Sequence, residues 1–133
     1  MGLKSLKQSE IRRLGGGKLE PITLARRIVD VLEERLGEDI LLLDVHKQSP
    51  FTDYFVICSG TSQRQLKALA DSVRETVKKE LNVLPHHVEG EPLAGWVLLD
   101  YLDVIVHVFV DELRTYYDLE GLWHEGKVLL RVQ

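Results

Sequence analysis

Gly95-Trp96-Val97-Leu98-Leu99-Asp100-Tyr101-Leu102-Asp103-Val104-Ile105-Val106-His107-Val108-Phe109 reads as two β-strands folded back on each other, with side chains alternating at period two. Pairing across Tyr101-Leu102 sets Asp100 against Asp103, Leu98 against Ile105 and Trp96 against His107. Those six side chains then share one side of a sheet, and Val97, Leu99, Val104, Val106 and Val108 share the other. The valine side predicts core. The Trp/His/Asp side is too polar for core and too apolar for ordinary surface, which predicts a docking site.

Working outward, residues 1–20 read as a basic tail, uncoupled by Gly15-Gly16-Gly17 from a domain spanning 21–133. Thr23 is placed to cap a helix carrying Leu24, Ile28, Val31, Leu32 and Leu36, stopped by Gly37. Ile40–Val45 and Tyr54–Cys58 are apolar runs of strand length. Ser62 and Gln65 form a capping box for a helix with Leu66, Leu69, Val73 and Val77 on one face. Pro85 and Pro92 bracket a short segment before the hairpin. A last helix is expected from Asp111 to Trp123, and Val128–Val132 supplies a terminal strand. The order α-β-β-α-β-β-α gives an α/β or α+β fold, a mixed sheet with helices against its valine-rich face.

The 133 residues, 44% hydrophobic and 29% charged, fit one globular domain. No apolar run is long enough to span a membrane, and the N-terminus lacks the stretch of a signal peptide. Cys58 is the single cysteine and sits in an apolar run, so a reducing, cytoplasmic compartment is expected. The net charge of −4 is unevenly spread. Residues 1–18 carry five basic side chains and one acid, which leaves a net −8 on the rest. From Glu89 to Glu125 there are nine carboxylates and one cation, Arg114. That surface repels a nucleic acid backbone and attracts a basic partner.

Catalytic groupings are weak. Ser59-Gly60-Thr61-Ser62, between a strand and a helix, is the best phosphate-binding candidate, with Asp44 or Asp103 as metal ligands in a nucleotidyltransferase-like enzyme. No Asp-x-Asp pair follows it, and helix capping is the better account of Ser62. His107 has no nucleophile beside it, His86-His87 diverge, and no metal or cofactor site is expected. The basic tail with Arg64, Lys67, Arg74 and Lys78 offers an alternative as an RNA-binding accessory factor, although a solvated helix face accounts for those residues.

Asp44, Thr52-Asp53-Tyr54-Phe55-Val56-Ile57, Gly60-Thr61-Ser62, Glu89-Gly90, Gly95–Asp100, Asp103–Phe109 and Tyr117–Trp123, in that order, resemble the Iojap family of ribosomal silencing factors. The resemblance implies a mixed-sheet fold distantly related to nucleotidyltransferases without their catalytic carboxylates. It implies a cytoplasmic, non-enzymatic protein that binds the large ribosomal subunit through that subunit's ribosomal protein fourteen. Blocking the small subunit would then repress translation under nutrient limitation. Members are often homodimers in crystals, so the docking face is also a candidate self-association face; neither a membrane nor sequence-specific nucleic acid is expected as partner. Trp96, Leu98, Asp100, Asp103, Ile105 and His107 are the expected contacts, Trp123 being a rival anchor. Leu102 departs from the glycine usual in the family's hairpin turn, and Gly121 from helix-forming residues.

Overall fold

In a computed structural model, which describes residues 19–118 and 126–133, Pro21 opens the first helix, α1 (Pro21–Glu34). Thr23 does not cap it. Glu20 takes the cap position without a side-chain bond, its carbonyl accepting the Thr23 N–H at 3.0 Å, and Pro21 starts the helix where an N–H would be unpaired anyway. Nor does Gly37 supply the left-handed residue that ends the helix; Leu36 does, at φ 63°, while the Gly37 N–H reaches the Leu32 carbonyl at 2.8 Å. Glycine is needed at 37 for a different reason. A Cβ there would lie 2.5 Å from the Cys58 sulfur.

Strands β1 (Glu38–Asp44) and β2 (Tyr54–Gly60) follow, then α2 (Gln63–Leu81). Ser62 caps α2 as expected, its Oγ accepting the Gln65 N–H at 3.1 Å. The chain continues through β3 (His87–Glu91), a 3-10 turn (Pro92–Ala94), β4 (Trp96–Asp100), β5 (Val104–Val110), α3 (Asp111–Tyr117) and β6 (Lys127–Val132). The six strands lie in the order β3-β4-β5-β2-β1-β6. Only β2 and β5 run parallel among these neighbours, so the sheet is mixed.

Strand β3 is absent from the sequence expectation. All five of its residues are exposed, so it carries no apolar alternation, and pairing with β4 alone makes it a strand. Of the expected final helix, Asp111–Tyr117 is present, and Asp118 turns left-handed after it. Trp123 and Gly121, like residues 1–18 of the expected tail, lie outside the described residues.

The hairpin register differs from expectation by two residues. Asp100 faces Ile105, Leu98 faces His107 and Trp96 faces Phe109. A slip of two preserves side-chain parity, so Trp96, Leu98, Asp100, Ile105 and His107 keep one face, but Asp103 leaves the strand for the turn. The valine face is core as expected. Val97, Leu99, Val104, Val106 and Val108 pack with Leu24, Ile28 and Leu32 of α1 and Leu66, Leu69 and Val73 of α2. Helix α3 covers part of the opposite face, where Leu113 joins Leu41, Leu43, Phe55, Ile57 and Phe109.

Arg27 ties the two covering helices together. Its Nε and Nη2 each donate to a Glu80 carboxylate oxygen at 2.9 Å, and the guanidinium is almost wholly buried. The hydrogen bond to Glu80 raises the Arg27 pKa despite the opposing desolvation. Truncation to alanine strands the Glu80 carboxylate and opens a cavity between helices. Arg27→Ala is expected to lower the unfolding free energy by about 2–3 kcal/mol in urea titration, and Arg27→Met by less, because methionine refills the space.

Candidate functional site

The face opposite α1 and α2 holds five of the six expected contact residues. Trp96, Leu98, Asp100 and Ile105 are half-buried and His107 is buried, while Asp103 stands exposed in the adjoining turn. Along β4 this leaves an apolar strip that ends at two carboxylates. Edge strand β3 runs beside it, contributing Glu89 and Glu91, both exposed.

The position of Trp96 depends on Gly90, which sequence reasoning did not single out as functional. Gly90 has φ 75°, and a Cβ there would lie 2.5 Å from indole Cε3 and also clash with the Trp96 carbonyl oxygen. The indole therefore rests on bare backbone. A glycine inside a short exposed segment is the available sequence signal, since in a strand it marks a bulge or a close approach. At the other side of Trp96, Gly95 (φ 78°) fits beneath Val110 and Leu113, where a Cβ would come within 2.9 Å of both side chains. Trp96 is thus bounded on both sides by positions at which any other residue would be crowded.

His107 is the floor of this face rather than its surface. Only 7% of it is exposed, its ring lying edge-on to Phe55 at 5.1 Å and stacked on Phe109 at 6.0 Å. Among the described residues neither ring nitrogen has a hydrogen-bond partner, and burial drives its pKa down from 6.5 to about 4. The imidazole is neutral at physiological pH and behaves as an aromatic wall.

Arg114, the lone cation in the acidic stretch, is buried and does not offset the surface charge. Its Nη1 donates to the Asp39 carbonyl at 2.6 Å and to Ser59 Oγ at 2.9 Å, fastening α3 across β1 and β2. Sequence reasoning counted Arg114 as surface; its burial follows from where α3 lands.

The enzyme-like constellation comes apart in three dimensions. Gly60-Thr61-Ser62 lies at the C-terminal end of β2, whereas Asp44 and Asp103 adjoin Tyr54 at its N-terminal end. Seven strand residues separate those ends, roughly 20 Å. Gln65 also fills the loop from within, its Oε1 accepting from Thr61 N–H at 2.6 Å and Thr61 Oγ1 at 2.9 Å. Gly60 serves packing, because a Cβ there would lie 2.6 Å from Leu66 Cδ1. Desolvation opposes ionisation of Asp44, but hydrogen bonds from His46 outweigh it and hold the carboxyl below its usual range. Burial pushes the Cys58 thiol up to about 12, which leaves it protonated and unreactive. Among the described residues no group of three or more His, Cys, Asp or Glu is arranged to hold a metal ion, and no helix is long and apolar enough to cross a membrane. Asp71, Glu75 and Glu80 are interspersed among the cations of α2, Lys67 pairing with Asp71 at 2.6 Å.

Residues 18–132 match the family model described as ribosomal silencing factor during starvation. Among curated proteins, the ribosomal silencing factor RsfS of Bacillus subtilis is 42% identical over 94 residues, covering 71% of this chain and 79% of that one. The mouse protein named mitochondrial assembly of ribosomal large subunit protein 1 is 30% identical, over 92% of this chain and 58% of its own. A crystal structure of a Chromobacterium violaceum protein superposes with a TM-score of 0.76 at 38% identity, over 80% of this chain and 88% of that one.

The burial of His107 sets a pH dependence. Below 6.5 the unfolded chain takes up a proton that the folded chain refuses until about 4. Stability contributed by the neutral buried ring is therefore complete above 6.5 and declines as the pH falls toward 4. Denaturant midpoints measured across this range are expected to fall with acid in the natural chain and to flatten in His107→Phe. Equal slopes in the two proteins would show that another group titrates.

Proposed function

This chain belongs to the ribosomal silencing factor family, and from that premise we propose that it binds the large ribosomal subunit through ribosomal protein fourteen. So placed, it blocks joining of the small subunit and represses translation when nutrients are short. Its relatives are named as silencing factors, which are regulators, and this chain is likewise read as a cytoplasmic regulator without catalysis. The name of the mouse relative supports the choice of subunit.

The observation that carries the reading is the half-buried Trp96/Leu98/Ile105 strip, walled below by His107 and ending at Asp100 and Asp103. An aromatic anchor within a charged border is the usual energetic arrangement of a protein interface. Trp96 and its aliphatic neighbours exclude water at the centre, while Asp100, Asp103 and the β3 acids steer a basic surface into place. A homodimer formed through the same face would compete with this use.

Sedimentation of the protein with isolated large subunits, followed by addition of small subunits, tests the proposal. Co-migration and loss of whole ribosomes are expected; no binding at micromolar protein in moderate salt would sink it. Trp96→Ala is expected to weaken binding by about 2 kcal/mol, on the order of 30-fold. Asp103→Lys, whose side chain lies in the exposed turn, should slow association and flatten its salt dependence. If neither variant changes affinity, the contact lies on another face.

A further inference from the structure

Two apolar side chains are held out into solvent on adjacent loops at the far end of the hairpin from Trp96. Phe51, in the β1–β2 connection, is 86% exposed, and Leu102, in the β4–β5 turn, is 54% exposed. The loops are joined by backbone: the Asp103 carbonyl accepts the Asp53 N–H at 2.9 Å and the Tyr54 N–H at 3.0 Å.

Neither side chain is exposed through slack. Leu102 sits at φ 73° with the Asp103 N–H donating to the Tyr101 carbonyl at 3.0 Å, a γ-turn of the strained, positive-φ hand. Asp100 Oδ1 accepts the Leu102 N–H at 2.7 Å and fixes that turn. Phe51 is carried on a turn in which Ser49 Oγ accepts the N–H groups of Phe51 at 3.3 Å and Thr52 at 3.2 Å. The loop base is closed by the Val45 N–H donating to the Asp53 carbonyl at 2.8 Å. Buried Thr52 and Tyr101 flank the two exposed residues.

We propose that Phe51 and Leu102 are a second apolar contact of the docking surface, seating in a depression of a basic protein surface on the large subunit. The inference rests on the large-subunit reading above and adds two specificity-determining residues to it. Charge selects the occupant. Asp44, Asp53, Asp100 and Asp103 gather at this end of the sheet against Lys47 and Lys127, while Arg26 and Arg74 belong to the helices that cover the valine face, with Glu20 beside Arg26. Around the two loops a surface rich in lysine and arginine is favoured over an acidic one. Asp100 belongs to both contacts, as the last residue of the Trp96 strip and the clamp on the Leu102 turn. What sets Leu102 apart from an exposed leucine elsewhere is its place, clamped by Asp100 at the end of the Trp96 strip and on the loop joined to that of Phe51.

Leu36 is a matched control, equally left-handed at φ 63° and 77% exposed, but located at the opposite end of the sheet beside Gln65. Leu102→Gly, Leu36→Gly, Phe51→Ser and Trp96→Ala in the full chain are compared by thermal melting and by sedimentation with purified large subunits. Neither glycine variant should lower the melting temperature, because glycine adopts positive φ freely. Leu102→Gly and Phe51→Ser are each expected to weaken subunit binding roughly tenfold, and Leu36→Gly to leave it unchanged. If Trp96→Ala loses affinity while Leu102→Gly and Phe51→Ser bind like the natural chain, this second contact is refuted and the first stands. If the natural chain does not bind, the large-subunit reading falls and this inference falls with it. If the two variants instead dissociate a dimer in sedimentation equilibrium at unchanged subunit affinity, the occupant is a second copy and the proposal is overturned.

Discussion

The parallel pairing of β2 with β5 organises the rest of the molecule. Tyr54 lies beside Val104 and Gly60 beside Val110, so both strands begin at one end of the sheet and finish at the other. Parallel neighbours cannot be joined by a tight turn, and the connection between them has to cross over. Here it runs through α2, β3 and β4, which lays α2 on the valine face and delivers β4 antiparallel to β5. The two ends of the sheet acquire separate characters as a result. One collects the β1–β2 loop and the β4–β5 turn, with Phe51, Leu102 and Asp103; the other collects Gly60-Thr61-Ser62, Gly95 and the start of α3.

That separation bears directly on what the site can do. A phosphate loop and metal-binding carboxylates must converge on one ligand to act together, and in this fold they stand a full strand length apart. The same geometry favours recognition over a wide surface. Trp96 at one end of β4 and Leu102 beyond the other are bridged by Leu98 and Asp100, giving an apolar line with acids interspersed. The sheet supplies rigidity beneath it, because Phe55, Ile57, His107 and Phe109 are packed under the strip. Pre-ordered side chains lose little freedom on binding, which is why a stiff sheet face suits docking better than a loop cluster.

Glycine placement shows how local and tertiary demands divide. Gly37 reads from sequence as a helix stop, yet Leu36 takes the left-handed conformation and Gly37 makes room for Cys58. Gly60 reads as part of a phosphate loop and instead admits Leu66. Gly90 sits in a segment with no apolar pattern and underlies the indole of Trp96. In each case glycine was visible, but its cause lay in a side chain brought against it by folding: Cys58 at Gly37, Leu66 at Gly60 and Trp96 at Gly90.

Element order determined the mixed sheet, a capping box the helix starting after Ser62, and periodicity the valine core and the common face of Trp96, Leu98, Asp100, Ile105 and His107. Alternation at period two is a local property that survives a register slip of two residues, so the faces were legible although the pairing was not. The ordered blocks of residues likewise identified the family. Tertiary structure decided that Asp103 leaves the strand, that Arg114 is buried under α3, that His107 is floor and that β3 exists at all. Those outcomes depend on which segments meet across the sheet, and an exposed edge strand or a buried arginine is set by its neighbour rather than by its own sequence.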